Sequence, residues 1–320
     1  MADHAVDDGD IYTYRGGRAP QHITHAIIDS SVYDIEDSAF SRCKNLLTVD
    51  THDGLRRIGP YAFYGCKSLR RINLKPAVEI CQMSFKDCES LETIEFGDRL
   101  EKVCGMAFEG CTSIQRLNLP TITKISAYMF RFCKRLTTVQ LSERLESIWP
   151  NAFNDCERLQ RIALPLKRDL LDYDEWWERY NQFDGCKQLT TVVLVEGAHN
   201  KTIASLHMES WRAELTADIN RINQFLPIIS IGKTAAIQQW MESLLDKLDH
   251  YKKEHNRFVK EGMTVLALAR LKILEADQFE REETGVLTRG GRKRVREEIR
   301  LTDGAVKIII GNVLPFLKLE

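Results

Sequence analysis

Hydrophobic residues recur along the middle of the chain at intervals of 22 or 23 residues. Each copy of the repeated unit reads A-F-x-x-C-x-x-L-x-x-I-x-L, and most copies have a small residue at the first position. Seven copies span about residues 30 to 195, with one longer interval of 30 residues before the last copy. A repeat of this length is typical of stacked structural units. The phenylalanines are Phe40, Phe63, Phe85, Phe108, Phe130, Phe153 and Phe183, and the cysteines are Cys43, Cys66, Cys88, Cys111, Cys133, Cys156 and Cys186.

The end of each unit alternates between apolar and polar residues, which predicts a short strand with one buried face. The interval leaves room for this strand, one turn of helix or loop, and a return segment. A second apolar pair in most intervals, such as Leu55 and Ile58, predicts an opposite wall. Since one unit cannot cover its own apolar side, neighbouring units must stack. The pattern therefore predicts a horseshoe-like α/β solenoid of about seven repeats, with one continuous parallel sheet and internal columns of phenylalanine and cysteine.

The hydrophobic pattern becomes helical after residue 198. Apolar residues at a spacing of three to four predict a helix over 203–225 and a longer one over 234–260, which Gly262 is expected to interrupt. We expect a flexible N-terminus over 1–20, a solenoid over 21–198, a helical capping region over 199–280, and a charged linker with a C-terminal helix over 281–320.

The composition of the 320 residues excludes several classes of protein. Lysine and arginine total 45 against 46 acidic residues, so no basic excess favours nucleic acid or an anionic membrane. No apolar run reaches the roughly 18 residues of a membrane-spanning helix. The first ten residues are acidic where a signal peptide is basic and then apolar. We therefore expect the protein in the cytoplasm, with the nucleus as the alternative.

The nine cysteines follow the repeat and do not show the spacing of metal ligands. Cys81 and Cys104 share a second register, four residues before their phenylalanine, and no C-x-x-C pair occurs. Small apolar side chains in a repeated column predict buried, reduced thiols. A disulfide between neighbouring units is the alternative. We expect no metal site and no cofactor.

The repeated unit resembles the BspA-like class of leucine-rich repeats. Other segments resemble a large group of intracellular leucine-rich-repeat proteins of diatoms, namely residues 14–20, 194–198, 222–227, 250–255 and 312–317. This resemblance implies a repeat solenoid with a helical C-terminal region, and it implies no known chemistry. Some bacterial relatives of the repeat are surface adhesins, and we do not expect that role for this chain because its first residues do not resemble a signal peptide.

The outward side of the predicted sheet carries the main candidate site. One column alternates threonine and arginine through all seven units, and the column two residues further on is polar in the first five. Arginine offers a planar fork of donors and is enriched at binding anchors. We predict a non-enzymatic scaffold that binds a protein or peptide on this face, whereas the alternative is that the alternation only keeps the sheet soluble. The candidate residues are Arg71, Asn73, Glu95, Arg116, Asn118, Gln140 and Arg161.

Two other features carry further binding hypotheses. The longer interval contains Trp176 and Trp177, a secondary candidate for binding or a cover for the end of the solenoid. The apolar stripe over 234–260 favours self-association or a partner helix. In that alternative function the solenoid is purely structural.

Gly232, Lys233 and Thr234 resemble the end of a phosphate-binding loop. The loop requires a glycine five residues earlier, where this chain has Pro227. We therefore predict a helix start at this position. No pattern in the sequence supports an enzyme.

Overall fold

The computed structural model describes residues 6–7, 11–171, 182–195, 197–206, 208–229 and 232–284. Nine parallel strands form the first wall of a solenoid, and a two-residue strand, β1 (Val6–Asp7), pairs antiparallel with the first of them. Most of these strands bury alternate residues, as the period of two predicts, whereas β15 buries three consecutive residues. The nine strands are β2 (Ile11–Tyr14), β3 (His25–Ile28), β5 (Thr48–Asp50), β7 (Arg71–Leu74), β9 (Thr93–Phe96), β11 (Arg116–Leu119), β13 (Thr138–Leu141), β15 (Arg161–Leu164) and β16 (Thr191–Leu194).

The N-terminal boundary differs from the sequence prediction. We expected a flexible segment over 1–20, but strand β2 lies there and pairs with β3 in parallel register. Tyr12 and Tyr14 are fully buried, and the Tyr14 ring packs 4.9 Å from the ring of Phe40. This extra rung lacks the phenylalanine and cysteine of the repeat, so the sequence pattern did not reveal it.

The second wall consists of six two-residue strands. Each strand carries the second residue of the apolar pair of its interval, and this isoleucine or valine is buried. They are β4 (Asp34–Ile35), β6 (Arg57–Ile58), β8 (Glu79–Ile80), β10 (Lys102–Val103), β12 (Lys124–Ile125) and β14 (Ser147–Ile148). The parallel-sheet solenoid predicted from the repeat is thus confirmed.

Both walls are interrupted at the same pair of rungs. The first wall divides between β9 and β11, and the second divides between β10 and β12. The expected sheet is therefore not continuous at this point, which we call the seam. Side chains replace backbone donors there: the Ser126 hydroxyl donates to the Val103 carbonyl at 3.1 Å, whereas one rung earlier the backbone N–H of Cys104 fills this position. Backbone hydrogen bonds between the turns, such as Phe108 N–H to the Met129 carbonyl, hold the rungs together across the seam.

A column of stacked phenylalanine rings runs through the core. The rings of Phe40 and Phe63 lie 5.0 Å apart and 6° from parallel, and those of Phe153 and Phe183 lie 5.8 Å apart. The column is continuous through all seven repeats. Parallel rings at this spacing follow from a repeat in which each turn covers the next.

The turns around each phenylalanine require left-handed backbone. Met106 and Gly110, two residues before and after Phe108, have φ values of 58° and 77°. Glycine accepts this conformation without strain, but most of these positions carry a Cβ atom. The non-glycine residues are Ser38, Arg42, Tyr61, Met83, Asp87, Met106, Tyr128, Phe132, Asn151 and Asp155.

The described residues form two compact units, residues up to 199 with 217–245, and residues 200–216 with 246–284. Three helices contribute to them, α1 (Ala198–Ser205), α2 (Glu209–Phe225) and α3 (Lys233–Thr284). Ile222 and Leu226 pack into the solenoid core, as do Ile237 and Met241. Of the helical region predicted over 199–280, residues 199 and 217–245 belong to the same compact unit as the solenoid.

The second unit has its own apolar cluster of Leu206, Leu215, Leu248 and Tyr251. The rings of Trp211 and Tyr251 stack at 4.9 Å. Helix α3 continues past Gly262 without the expected interruption and ends at Thr284, so the charged segment expected from 281 begins within it. The rest of that segment and the expected C-terminal helix lie outside the described residues. No helix in the described part of the chain is long and apolar enough to cross a membrane.

Candidate functional site

The candidate site is the outward face of the first wall, which we call the sheet face. Its first column includes His25, Thr48, Arg71 and Thr93, which are register partners on neighbouring strands. Beyond the seam the same column resumes as Arg116, Thr138, Arg161 and Thr191. The threonine–arginine alternation read from the sequence therefore forms a row of register partners on each side of the seam, and its three arginines are exposed.

The second column of the sheet face lies two residues further along each strand. Asn73 is the register partner of Glu95, and Asn118 is the register partner of Gln140. All four side chains are exposed. The column becomes apolar at Ala163, which is buried. The seven predicted residues thus share one wall but lie on two ladders, because the seam separates Arg71, Asn73 and Glu95 from the other four.

The acidic residues of the sheet face have partners within the chain. Lys75 binds Glu95 with 2.7 Å between ammonium and carboxylate, and this hydrogen bond lowers the pKa of Glu95. The His25 ring lies 3.1 Å from the Asp50 carboxylate. Its other nitrogen shares a hydrogen bond with the Thr48 hydroxyl. The partner of Glu95 is thus a lysine that lies outside the two columns.

A recess of about 540 Å³ opens on the sheet face between β5 and β9. Asn73 is held at its floor by two contacts: its carbonyl accepts the Thr51 hydroxyl at 2.8 Å, and its side-chain oxygen accepts the Lys75 N–H at 3.1 Å. The recess brings together Thr48, Asp50, Arg71, Asn73, Lys75, Thr93 and Glu95. Such a mix of donors and acceptors suits hydrogen bonding to a peptide.

Sequence reasoning missed two residues of this face. His25 is not among the predicted residues, although it lies 23 residues before Thr48, which is one repeat period. Lys75 follows β7 directly and has no equivalent in the other repeats, so no periodic signal marks it. The secondary candidates Trp176 and Trp177 lie outside the described residues.

A second cavity, of about 760 Å³, lies on the second wall at the seam. Val103 and Cys104 line it from one rung, and Lys124 and Tyr128 line it from the next. The Lys124 ammonium lies 3.2 Å from the centre of the Trp149 ring. The repeat gave no sign of this cavity, because the cavity lies where the ladder is interrupted.

The Gly232-Lys233-Thr234 segment begins α3, as predicted. The Lys233 ammonium donates to the carbonyls of Leu189 at 2.6 Å and Lys187 at 3.3 Å. The Thr234 hydroxyl accepts the N–H of Phe183 at 3.1 Å. These groups satisfy the free edge of the last rung, so a structural role replaces the resemblance to a phosphate loop.

The cysteine side chains are free thiols, and only Cys104 is half-buried while the other eight are buried. Burial raises the pKa of Cys43 to about 11 and also raises that of Cys104. Raised pKa values oppose thiolate chemistry. Within the described residues, no three acidic, histidine or cysteine side chains cluster in a way that could hold a metal ion.

Most of the apolar stripe of α3 is buried against other residues of the chain. Ile237 and Met241 belong to the core of the first unit, and Leu248 and Tyr251 belong to the cluster of the second. Phe258 is 45% exposed. The surface expected for a partner helix is therefore smaller than the stripe suggested.

Comparison with known proteins identifies the repeat. The model of the BspA type leucine rich repeat region matches six copies over residues 19–120, 75–190 and 119–210, which together cover more than half of the chain. Among curated proteins, no match was found.

Several solved structures are similar to this chain. A leucine rich cell surface protein from Faecalibacterium prausnitzii is 22% identical with a TM-score of 0.49, covering 61% of this chain and 55% of that one. The T. pallidum leucine rich repeat protein is 26% identical with a TM-score of 0.44, covering 50% and 78%. A leucine-rich repeat protein from Bacteroides ovatus is 24% identical with a TM-score of 0.45, covering 54% and 43%. The chain spans little more than half of the Faecalibacterium protein.

Proposed function

Because the chain belongs to the BspA type leucine-rich repeat family, we propose that it is a non-enzymatic scaffold that binds a protein or peptide on its sheet face. Leucine-rich-repeat solenoids generally serve as protein-interaction scaffolds. The observation that carries the proposal for this chain is the recess around Asn73, which gathers donors and acceptors on an exposed sheet. The sheet is preformed, so binding there costs little ordering of the backbone.

The rigidity of the face comes from the core behind it. Ile72 and Leu117 alternate with the outward side chains and are almost fully buried. The stacked phenylalanines and the backbone ladders tie neighbouring rungs together. A partner therefore meets side chains whose Cα positions are already set.

The alternative function, assembly through the helices over 234–260, has less support. It needs the apolar stripe of α3, and most of that stripe is buried within the chain.

We also propose that the chain is related to the intracellular leucine-rich-repeat proteins of diatoms and that it is located in the cytoplasm or the nucleus. Nine free thiols support a reducing compartment.

Site-specific cross-linking tests the proposed face. A photoreactive phenylalanine derivative replaces Thr93 on the sheet face in one variant and Thr123, exposed beside β12 on the second wall, in a control. We expect a partner in native extract to cross-link from position 93 and not from position 123. Equal cross-linking from both positions would contradict the proposal.

The identified partner is then purified and its affinity measured. Asn118→Trp adds bulk on the sheet face without changing charge, and Thr123→Trp adds the same bulk on the second wall. We expect Asn118→Trp to weaken binding about tenfold or more, since a buried clash of this kind costs at least 1.4 kcal/mol. Thr123→Trp is expected to leave the affinity unchanged. If Asn118→Trp binds the partner with full affinity, the partner does not bind on the sheet face.

A further inference from the structure

The basic and acidic side chains of the sheet face differ in their partners within the chain. Asp50 and Glu95 are held by His25 and Lys75. Arg71, Arg116 and Arg161 form neither an ion pair nor a hydrogen bond with any residue that the structure describes. The acids of the face therefore have partners within the chain, whereas the three arginines of the first column have none among the described residues.

Charge pairing between neighbouring rungs is common elsewhere on the solenoid. Lys67 binds Glu89 at 2.6 Å and Lys86 binds Glu109 at 2.8 Å. Both pairs join residues about one repeat apart. In the arginine column the neighbours one repeat away are threonines, which carry no charge. Because no acid stands in register with these arginines, their guanidinium groups are left for a ligand.

Asparagine accompanies two of the arginines. Strand β7 reads Arg71-Ile72-Asn73-Leu74, and β11 repeats the arginine and the asparagine in Arg116 and Asn118. Two residues apart on one strand, the guanidinium and the amide lie on the same face. An arginine binds a carboxylate through two parallel hydrogen bonds, and an amide suits a peptide group. Each of these two rungs thus offers one site for an acidic side chain and one for the adjoining backbone.

The spacing of the arginines limits the conformation of an acidic ligand. Arg116 and Arg161 lie two strands apart on one hydrogen-bonded ladder, and adjacent strands are about 4.8 Å apart, so these two arginines are separated by about 9.6 Å. Arg71 precedes them in the same column, on the other side of the seam. A polyproline II helix rises about 3.1 Å per residue and places every third side chain on one face, at about 9.3 Å. In a β-strand, residues three apart point to opposite faces.

We infer that the sheet face binds an extended acidic segment of a protein, in which carboxylates three residues apart meet Arg116 and Arg161 and a further carboxylate meets Arg71 across the seam. This inference rests on the proposed function and specifies its partner. The segment crosses the strands, runs along the solenoid axis and adopts polyproline II conformation. Carboxylate–guanidinium pairs select its charge, and the rung spacing selects its sequence period.

Three synthetic peptides test the inference on the full-length protein by fluorescence anisotropy. The matched probe is five copies of Glu-Pro-Pro. A second peptide has the same composition with its glutamates in one block, and a third replaces glutamate with lysine. We expect the matched probe to bind about tenfold more tightly than the block peptide, since three exposed ion pairs together give about this factor. The lysine peptide is expected not to bind.

Two charge reversals complete the test. Arg116→Glu changes the central arginine, and Lys124→Glu makes the same charge change on the second wall. We expect Arg116→Glu to weaken binding of the matched probe about tenfold and Lys124→Glu to leave it unchanged, with circular dichroism confirming that both variants are folded. Equal binding of the matched and block peptides would overturn the inferred period. Equal losses in the two variants would overturn the arginine site.

The outcomes also separate this inference from the proposed function. If no acidic peptide binds while the partner still cross-links from position 93 and is weakened by Asn118→Trp, the scaffold function stands and the acidic ligand is wrong. If the cross-linking and Asn118→Trp tests also fail, the scaffold function and the acidic ligand are both wrong.

Discussion

The thiol of Cys88 donates a hydrogen bond to the carbonyl oxygen of Phe63, with 3.1 Å between sulfur and oxygen. The same oxygen accepts the backbone N–H of Cys66 at 3.1 Å. One carbonyl therefore closes the turn of its own repeat and binds the next repeat. The contact recurs from Cys66 to Phe40, Cys111 to Phe85, Cys133 to Phe108, Cys156 to Phe130 and Cys186 to Phe153.

Replacing one of these thiols tests the contribution of this contact. We expect Cys88→Ala to lower the free energy of unfolding by about 1 kcal/mol, because the Phe63 carbonyl keeps its bond from Cys66 and loses only the second. Urea denaturation measures the change. Cys104→Ala is the control, since that thiol is half-buried and lies outside the phenylalanine column. Equal effects of the two substitutions would show that the thiol contact contributes nothing.

Alkaline pH is expected to destabilise the fold. Burial raises the pKa of Cys43 from 9.0 to about 11 and that of Tyr14 from 10.0 to about 12. Because the unfolded chain ionises these groups first, their contribution is fully present below about pH 9 and is lost as pH rises to about 11 and 12. Urea denaturation between about pH 8 and pH 11 measures this loss, and Cys43→Ala is expected to reduce it. A stability that rises over this range would contradict the buried, protonated thiol.

Removing one ring of the phenylalanine column is expected to be costly. Phe108 is fully buried, with neighbouring rings at 5.2 Å and 5.6 Å. We expect Phe108→Ala to lower the free energy of unfolding by about 3–5 kcal/mol, because the rigid repeat collapses poorly around the cavity. Thermal and urea unfolding measure it. Phe225→Ala, at a side chain that is 52% exposed, is expected to cost less than about 1 kcal/mol.

The Lys233 ammonium is expected to hold the last rung to the start of α3. Lys233→Met keeps most of the side-chain volume but leaves the Leu189 and Lys187 carbonyls without this donor. We expect a loss of about 1–3 kcal/mol and faster amide exchange in β16. Lys44→Met, at an exposed position in the first repeat, is the control. Unchanged amide exchange in β16 would contradict this role of Lys233.

The seam is expected to be the least protected junction of the first wall. Strand β11 pairs only with β13, whereas β13 pairs with strands on both sides. Amide exchange over residues 116–119 should therefore be faster than over 138–141. Hydrogen exchange with mass spectrometry compares these two segments within one protein. Equal protection would indicate that the ladder is continuous in solution.

The sequence alone determined the solenoid and most of the candidate face. A stack with one rung per repeat makes residues one period apart into neighbours, so the period by itself places Arg71 beside Thr93. For the same reason it predicts the phenylalanine column. The sequence pattern did not predict the first rung, because Tyr14 takes the place of the repeated phenylalanine there. Its ring packs on Phe40 without the rest of the motif.

Only the tertiary structure decided which charges of the face are free. Glu95 binds Lys75, which the column pattern does not contain, and Arg71 stays unpaired. Which basic side chain pairs with Glu95 depends on the reach of the side chains and on the turn after β7, where the Lys75 N–H donates to the Asn73 side chain. The repeat period predicts the strands, but it does not predict which hydrogen bonds form in such turns.

The seam and the division of the helices also depended on tertiary structure. The sequence on either side of the seam keeps the repeat, yet the Ser126 hydroxyl replaces a backbone donor there. Likewise, α3 carries one apolar stripe, but Met241 and Leu248 pack into different cores. Periodicity specifies which side of an element is buried, because burial depends on the type of residue. Which neighbour covers that side depends on distances of a few ångströms, which are set only when the whole chain has packed.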